Sequence, residues 1–301
     1  MSKKIFSKMD KLPSGRATNK ITKVCLVLEG GAFRGLYGEG VLDALMLAGI
    51  NAQCTIGVSA GAMNGMNYVS GQIGRSARLN LRYRHDSRYI GLKAIKNNRG
   101  VVGFDFIMNQ VEEEKFDEEA FFNPEKKFVV VATNCLTGKP EYFDRDRVGK
   151  KIYDAVSASA SMPFISKMVE IDGNLYLDGG CSDKIPYRWA IDQDYDKIIV
   201  VRTRPSSYRK KLRSKHIVTS SVYRSYPEFA QVLANSNRDY NRQCDEITIL
   251  NSKKRIYVIS PSVYMDISRM EGDLEKLGQL YKLGFNDTAR QIKDIIAYLY
   301  L

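Results

Sequence analysis

The chain has 301 residues, 44% hydrophobic and 27% charged, with 46 Lys and Arg against 34 Asp and Glu for a formal charge of +12. That balance excludes wholesale disorder and allows one large core, while the positive excess favours anionic partners such as nucleic acid, lipid headgroups or acidic metabolites. Five cysteines (Cys25, Cys54, Cys135, Cys181, Cys244), odd in number and without metal-ligand spacing, predict free thiols in a reducing compartment.

Residues 1–20 mix Lys, Ser, Gly and Pro without periodicity or an apolar stretch, so a flexible basic arm and no secretion signal are expected. No run of about 18 apolar residues occurs anywhere, which predicts no spanning helix and a cytoplasmic address. From Lys23 the pattern reads strand (Val24 to Leu28), glycine turn, helix (Val41, Leu42, Leu45), turn at Gly49, strand (Ala52 to Val58) and helix from about Ala60. This βαβα start predicts parallel α/β architecture.

Residues 75–123, first basic and aromatic and then acidic, read as helices and loops inserted between strands, a candidate lid. The sheet resumes at "KKFVVVATN", followed by a short strand, a helix "IYDAVSASASMPF", a hairpin "VEIDGNLYLDGG" and a buried strand "KIIVV". After Pro205 the chain is basic and mostly helical, with one more strand at "RIYVISP" and a last helix carrying Ile292, Ile295, Ile296 and Leu299 on one face.

"GVSAG" at 57–61 is the G-x-S-x-G nucleophile-elbow pattern, placed between an apolar strand and a helix. Gly57 and Gly61 give the turn room, and the helix N-terminus below Ser59 favours developing negative charge. Acyl transfer also needs backbone N–H donors aimed at an oxyanion, each worth about 3 kcal/mol. "GGAFRG" at 30–35 supplies them from the adjacent turn. The rival reading, dinucleotide binding, is weakened because Ala32 interrupts the glycine fingerprint and no acid occurs between Asp43 and Asp86 to hold a ribose.

A serine nucleophile needs a base, and the only histidines are His85 and His216. Ser59, an acid and His216 have the chain order of an α/β-hydrolase triad, but His216 lies in a strongly basic stretch that reads as solvated surface. The other candidate is Asp178 in "LYLDGGCSD", where an apolar run breaks into Gly179 and Gly180.

"EGGAFRG", "GVSAGA", "SASASMPF" and "DGG", in this order and spacing over residues 21–205, resemble the patatin-like phospholipase family, most closely its bacterial members. The resemblance implies a three-layer α/β/α fold with a mostly parallel central sheet. A patatin-like catalytic domain would span 21–205, and a helical extension over 206–301 would complete or pack on it. It implies a Ser59–Asp178 dyad without histidine, an oxyanion hole from Gly30, Gly31 and Ala32, support from Arg34 and Gly35, and no metal or cofactor. Ala32 departs from the glycine common in relatives but keeps its N–H.

The expected activity is serine acyl hydrolysis of lipid esters, with phospholipid acyl chains the leading substrate. The alternatives are a binding or regulatory module on the same scaffold, and a Ser59–Asp178–His216 triad esterase. Lys210 to Lys215 and Lys253 to Arg255 are candidates for transient attachment to an anionic membrane surface at its inner face. Asp172 and Asp183 read as surface turn acids, and the serines of 157–161 as small residues packed near the active turn. Tyr83, Tyr89 and nearby arginines read as a solvated face, since no nucleic-acid-binding signature accompanies them.

Overall fold

A computed structural model describes residues 5–91, 102–212 and 216–300, with the side chains of 216–218 outside the description. Ten strands are present among these residues. They are β1 (Gly15–Arg16), β2 (Thr22–Leu28), β3 (Ala52–Val58), β4 (Gln72–Ile73), β5 (Lys127–Asn134), β6 (Pro140–Asp144), β7 (Val169–Ile171), β8 (Asn174–Asp178), β9 (Ile198–Val201) and β10 (Tyr257–Ile259). The main sheet has the order β10-β9-β2-β3-β5-β8-β7, with β6 also on β5. Pairing is parallel from β10 through β5 and antiparallel for β6, β7 and β8.

The helices around this sheet are α1 (Gly35–Leu47), α2 (Ala60–Val69), α3 (Arg75–Tyr83), α4 (Phe104–Asn109), α5 (Glu118–Phe121), α6 (Arg145–Val148) and α7 (Ile152–Ser159). They continue with α8 (Tyr187–Asp192), α9 (His216–Val222), α10 (Pro227–Ser252) and α11 (Leu274–Tyr300). Strand β2 is apolar without alternation because both its faces are covered. Val24, Leu26 and Leu28 join a core with α1 and α11, while Cys25 and Val27 join one with Tyr187 of α8 and Tyr240 and Cys244 of α10. Three layers, helix–sheet–helix, follow. All five cysteines are buried and free.

Helix α1 is buried over almost its whole circumference because it lies between the sheet and α11. Glycines set that contact: a Cβ on Gly40 would stand 2.1 Å from the Tyr281 carbonyl oxygen, and one on Gly284 2.0 Å from that of Tyr37. The Tyr37 hydroxyl donates to Asp287 at 3.2 Å and that of Tyr281 to Asp43 at 2.7 Å across the same seam. In α11 the buried face runs through Leu277, Leu280, Tyr281, Ile295 and Leu299, whereas Ile296, expected on it, is 42% exposed.

Residues 5–16 differ from the loose arm expected of them. Phe6 is buried beside Gly278 of α11, Ser7 hydrogen-bonds to Glu275, and β1 pairs with β4. A single phenylalanine and leucine in a polar stretch carry no periodicity, so only the complementary surface reveals their burial. The hairpin β7–β8 turns at Asp172 and Gly173, both with positive φ, as an Asp-Gly tight turn requires.

Candidate active site

Ser59 leaves the end of β3 with φ 54° and ψ −123°, a strained backbone that raises its hydroxyl above the sheet. The elbow closes tightly because its flanks lack side chains. A Cβ on Gly57 would lie 2.6 Å from the Gly61 carbonyl oxygen, and one on Gly61 2.5 Å from that of Leu28. The strained peptide is held from outside: Ser159 Oγ accepts the Ser59 N–H at 2.8 Å and donates to the Val131 carbonyl at 2.6 Å.

Asp178 arrives from the opposite direction, at the end of β8. Strand β5 pairs with β3 up to Val131 and with β8 from Ala132, while β6 occupies 129–133 on the other edge. Strands β3 and β8 therefore abut end to end along one edge of β5. A Cβ on Gly179 would lie 2.1 Å from the Val131 carbonyl oxygen, so only glycine fits this junction.

The Asp178 carboxylate accepts the Gly180 N–H at 2.7 Å and lies near enough to the Ser59 hydroxyl to feel it, and its own N–H donates to Ser161 O at 2.9 Å. Burial pushes its carboxyl above the usual aspartate range, while those two donors and the charges of Lys184 and Arg269 pull it back.

The turn over the serine begins at Gly30, where a Cβ would stand 3.0 Å from Ser59 Cβ. Among the described residues the N–H groups of Gly30 and Gly31 have no protein acceptor. Ala32 has φ 51°, the left-handed conformation that explains why glycine suits this position. Glu29 fixes the turn to β9, its N–H donating to Val201 O at 3.1 Å and its carboxylate accepting the Thr203 N–H at 2.6 Å. The Gly35 carbonyl accepts from Asn64 Nδ2 at 2.9 Å, tying α1 to α2. Among the described residues Arg34 Nε has no partner, and burial together with Arg204 and Arg269 lowers its guanidinium to about 10.

Beside Ser59 opens a pocket walled by Leu36, Met63, Leu79, Phe104 and Ile107. Leu79, Phe104 and Ile107 come from the inserted region read as a candidate lid; residues 92–101 of that region lie outside the description. Tyr89, expected on a solvated face, is buried in the same wall, its hydroxyl donating to Asn80 at 2.7 Å. Glu39 also lines the pocket, and burial raises its carboxyl to about 8.

His85 is exposed against Gly272, and the side chain of His216, at the start of α9, lies outside the description. Asp183 is not a surface acid: it is 8% exposed and accepts from Tyr142 and Gln243, joining β6 to α10. Asp172 is exposed in its turn, paired with Lys151. Ser159 and Ser161, read as small packing residues, hold the backbones of Ser59 and Asp178. Their clustering in "SASAS" is the available signal, but spacing alone does not tell a clamp from a small-residue face. Among the described residues no group of three or more His, Cys, Asp or Glu could hold a metal ion, and no helix is long and apolar enough to cross a membrane.

A strand, a glycine turn and a helix, then a strand, a serine elbow and a helix, on a three-layer α/β/α sheet, make the patatin-type arrangement. The family model for patatin-like phospholipase matches residues 26–191, and the chain belongs to that family. A domain of unknown function, DUF6363, matches residues 226–300. The uncharacterized protein YjjU of Escherichia coli is 30% identical over 190 residues, 61% of this chain and 53% of YjjU. The probable lipid hydrolase 463L of Invertebrate iridescent virus 6 is 27% identical over 214 residues, 62% of this chain and 72% of that protein. An uncharacterized NTE family protein of Mycobacterium tuberculosis, Rv1063c, is 27% identical over 54% of this chain and 44% of its own length. The match thus spans about half the length of two of these three relatives. VipD from Legionella pneumophila shares the fold, with a TM-score of 0.52 at 14% identity over 93% of this chain and 68% of that one.

Proposed function

We propose that the protein is a serine acyl hydrolase that cleaves acyl esters of lipids through Ser59 and Asp178. The observation that carries this reading is the approach of the Ser59 hydroxyl, on its strained elbow, to the buried Asp178 carboxylate beside an apolar pocket. Asp178 takes the hydroxyl proton as Ser59 Oγ attacks the ester carbonyl. The N–H groups of Gly30, Gly31 and Ala32 stabilise the oxyanion, with Arg34 orienting their turn. Collapse expels the alcohol, protonated by Asp178, and leaves acyl-Ser59. Asp178 then activates water for deacylation. An exposed aspartate near pKa 3.9 is a weak base for a hydroxyl, and the desolvation of Asp178 raises its basicity toward the task.

The +12 charge supports transient binding to an anionic membrane surface, with Lys253 and Lys254 exposed to serve it. Of the other basic run, Lys210 to Lys215, residues 213–215 lie outside the description.

The test is covalent labelling by a fluorophosphonate, comparing wild type with folded Ser59→Ala, Asp178→Asn and His216→Gln variants. The expected result is labelling lost in Ser59→Ala, ester turnover lost in Asp178→Asn, and turnover kept in His216→Gln. Turnover that collapses in a folded His216→Gln assigns a triad instead, and absence of both labelling and turnover in wild type, with anionic vesicles present, assigns a binding module.

A further inference from the structure

Five basic side chains gather near this site: the charges of Lys184 and Arg269 reach Asp178, and those of Arg34, Arg204, Lys210, Lys184 and Arg269 reach one another. Arg34 leaves the turn over the serine. Lys184 donates to the carbonyl of Gly180, whose N–H holds the Asp178 carboxylate. Arg204 lies over the rings of Tyr208 and Tyr264, at 4.8 and 5.4 Å. Lys210 Nζ stands 4.1 Å from the centre of the Tyr240 ring. Arg269 is exposed on a segment pinned to the turn: its carbonyl accepts the Phe33 N–H at 3.4 Å, and the next residue, Met270, lines the pocket of Ser59. Lys210 and Arg269 come from the part of the chain that carries no catalytic motif, and Arg269 lies within the domain of unknown function.

These cations lack close ion-pair partners. Among the described residues none of the five forms an ion pair, whereas Arg16, Arg78, Arg188, Arg209 and Arg290 each have one. Arg34 Nε and Arg204 Nη1 are buried with no hydrogen-bond partner. The carboxylates whose fields reach the cluster are Glu29, spent on the Thr203 N–H, Asp178, bonded to the Gly180 N–H, and Asp239, paired with Arg242 at 3.5 Å. Burial, then Lys184, lowers the Lys210 ammonium to about 6, with Glu29 opposing and Arg269 and Arg34 adding smaller pulls, so that an arriving anion is what favours its charged form. Like charges gathered at a solvent-reachable site without partners form an anion receptor.

We propose that Lys184, Lys210 and Arg269, backed by Arg34 and Arg204, form a subsite for the phosphate of an anionic lipid headgroup. This rests on the acyl-hydrolase reading of Ser59 and deepens it by naming the substrate class. A three-carbon glycerol joins ester to phosphate, so a carbonyl on Ser59 carries its phosphate to the side chains flanking Asp178. The cationic excess repels the ammonium of a choline or ethanolamine headgroup, which selects an anionic over a zwitterionic lipid.

The test compares dioctanoyl phosphatidic acid, phosphatidylcholine and diacylglycerol as substrates of wild type, Arg269→Gln/Lys210→Gln and Arg269→Lys. Wild type prefers phosphatidic acid, and the double variant loses that preference by roughly tenfold to a hundredfold, the worth of about one charge-assisted hydrogen bond. Diacylglycerol turnover changes far less than phosphatidic acid turnover, and Arg269→Lys retains part of the preference. An undiminished preference, or equal loss on all three lipids, overturns the proposal.

Calorimetric titration of Ser59→Ala with phosphatidic acid and with inorganic phosphate separates the two readings. Saturable phosphatidic acid binding that the two glutamines abolish upholds the subsite even if wild type hydrolyses nothing, which would sink the hydrolase reading alone. Absence of binding overturns the subsite, and inorganic phosphate bound as tightly as the lipid overturns the headgroup assignment in favour of free phosphate.

Discussion

Ser59 and Asp178 are suspended from neighbouring positions of one strand: Val58, just before the serine, pairs with Val131, and Asp178 pairs with Ala132. Their meeting is therefore set by the backbone register of β5 rather than by side-chain reach. A buried aspartate whose carboxyl is raised by burial is a destabilised anion. Protons bind it more tightly in the folded than in the unfolded chain, so its contribution to stability falls as pH rises through the folded pKa. Asp178→Asn should abolish ester turnover and raise the melting temperature at neutral pH. In wild type, turnover should rise with pH with a midpoint above about 4, the ordinary aspartate value. A less stable Asp178→Asn variant would contradict this account.

Ser159→Ala removes both ends of a clamp. It leaves the Ser59 N–H and the Val131 carbonyl without their buried partner, a loss of about 1–3 kcal/mol in stability. The elbow then relaxes, and kcat should fall while KM changes little, because the pocket is untouched. Chemical denaturation and steady-state kinetics on the same preparation check both parts.

Glu39 carries a different pH signature. Burial raises its carboxyl to about 8, aided by Asp43 and opposed by hydrogen bonds from Ser76 and Asn80. The folded protein keeps this proton to about pH 8 while the unfolded chain releases it near pH 4.5, so the stability it contributes is complete below about 4.5 and lost as pH rises to about 8. Glu39→Gln should flatten that part of the stability profile, read as melting temperature from about pH 5 to about pH 9. An unaltered slope would show that Glu39 is not the group responsible.

The seam between α1 and α11 predicts how the C-terminal region behaves. Gly284→Ala forces a methyl to within 2.0 Å of the Tyr37 carbonyl and should destabilise the protein by about 1–3 kcal/mol or more, the range for overpacked cores. A chain lacking residues 226–300 uncovers the buried faces of α1 and β9 and should be insoluble or unfolded, checked by circular dichroism and thermal melting.

The elements around the serine are legible in the sequence because local rules write them: an apolar strand, glycines at the tight turn, and a helix beginning at Ala60. Asp178 is legible through the company of its motifs, since an Asp-Gly-Gly turn alone is an ordinary loop. Asp183 escapes such a reading because its partners, Tyr142 and Gln243, lie 41 and 60 positions away and no local pattern announces them. The same holds for Phe6 against Gly278 and for the cations of the C-terminal third, which meet the site through tertiary contact alone. Ser159 is visible as a small residue but not as a clamp, because its role depends on the backbones of two other segments.

The bond from the Glu29 carboxylate to the Thr203 N–H joins positions 174 residues apart and sits beside the turn over the serine. Strand β2, at the middle of the sheet, likewise waits for β9 to supply one of its two edges. On a ribosome, the motif around Ser59 emerges long before the chain that fixes its surroundings. Contacts of such separation form late and slowly in folding. The nascent polypeptide consequently lacks the fixed surroundings of Ser59 until the far side of the sheet is in place, and its exposed β2 edge is the stage at which misassembly competes with maturation.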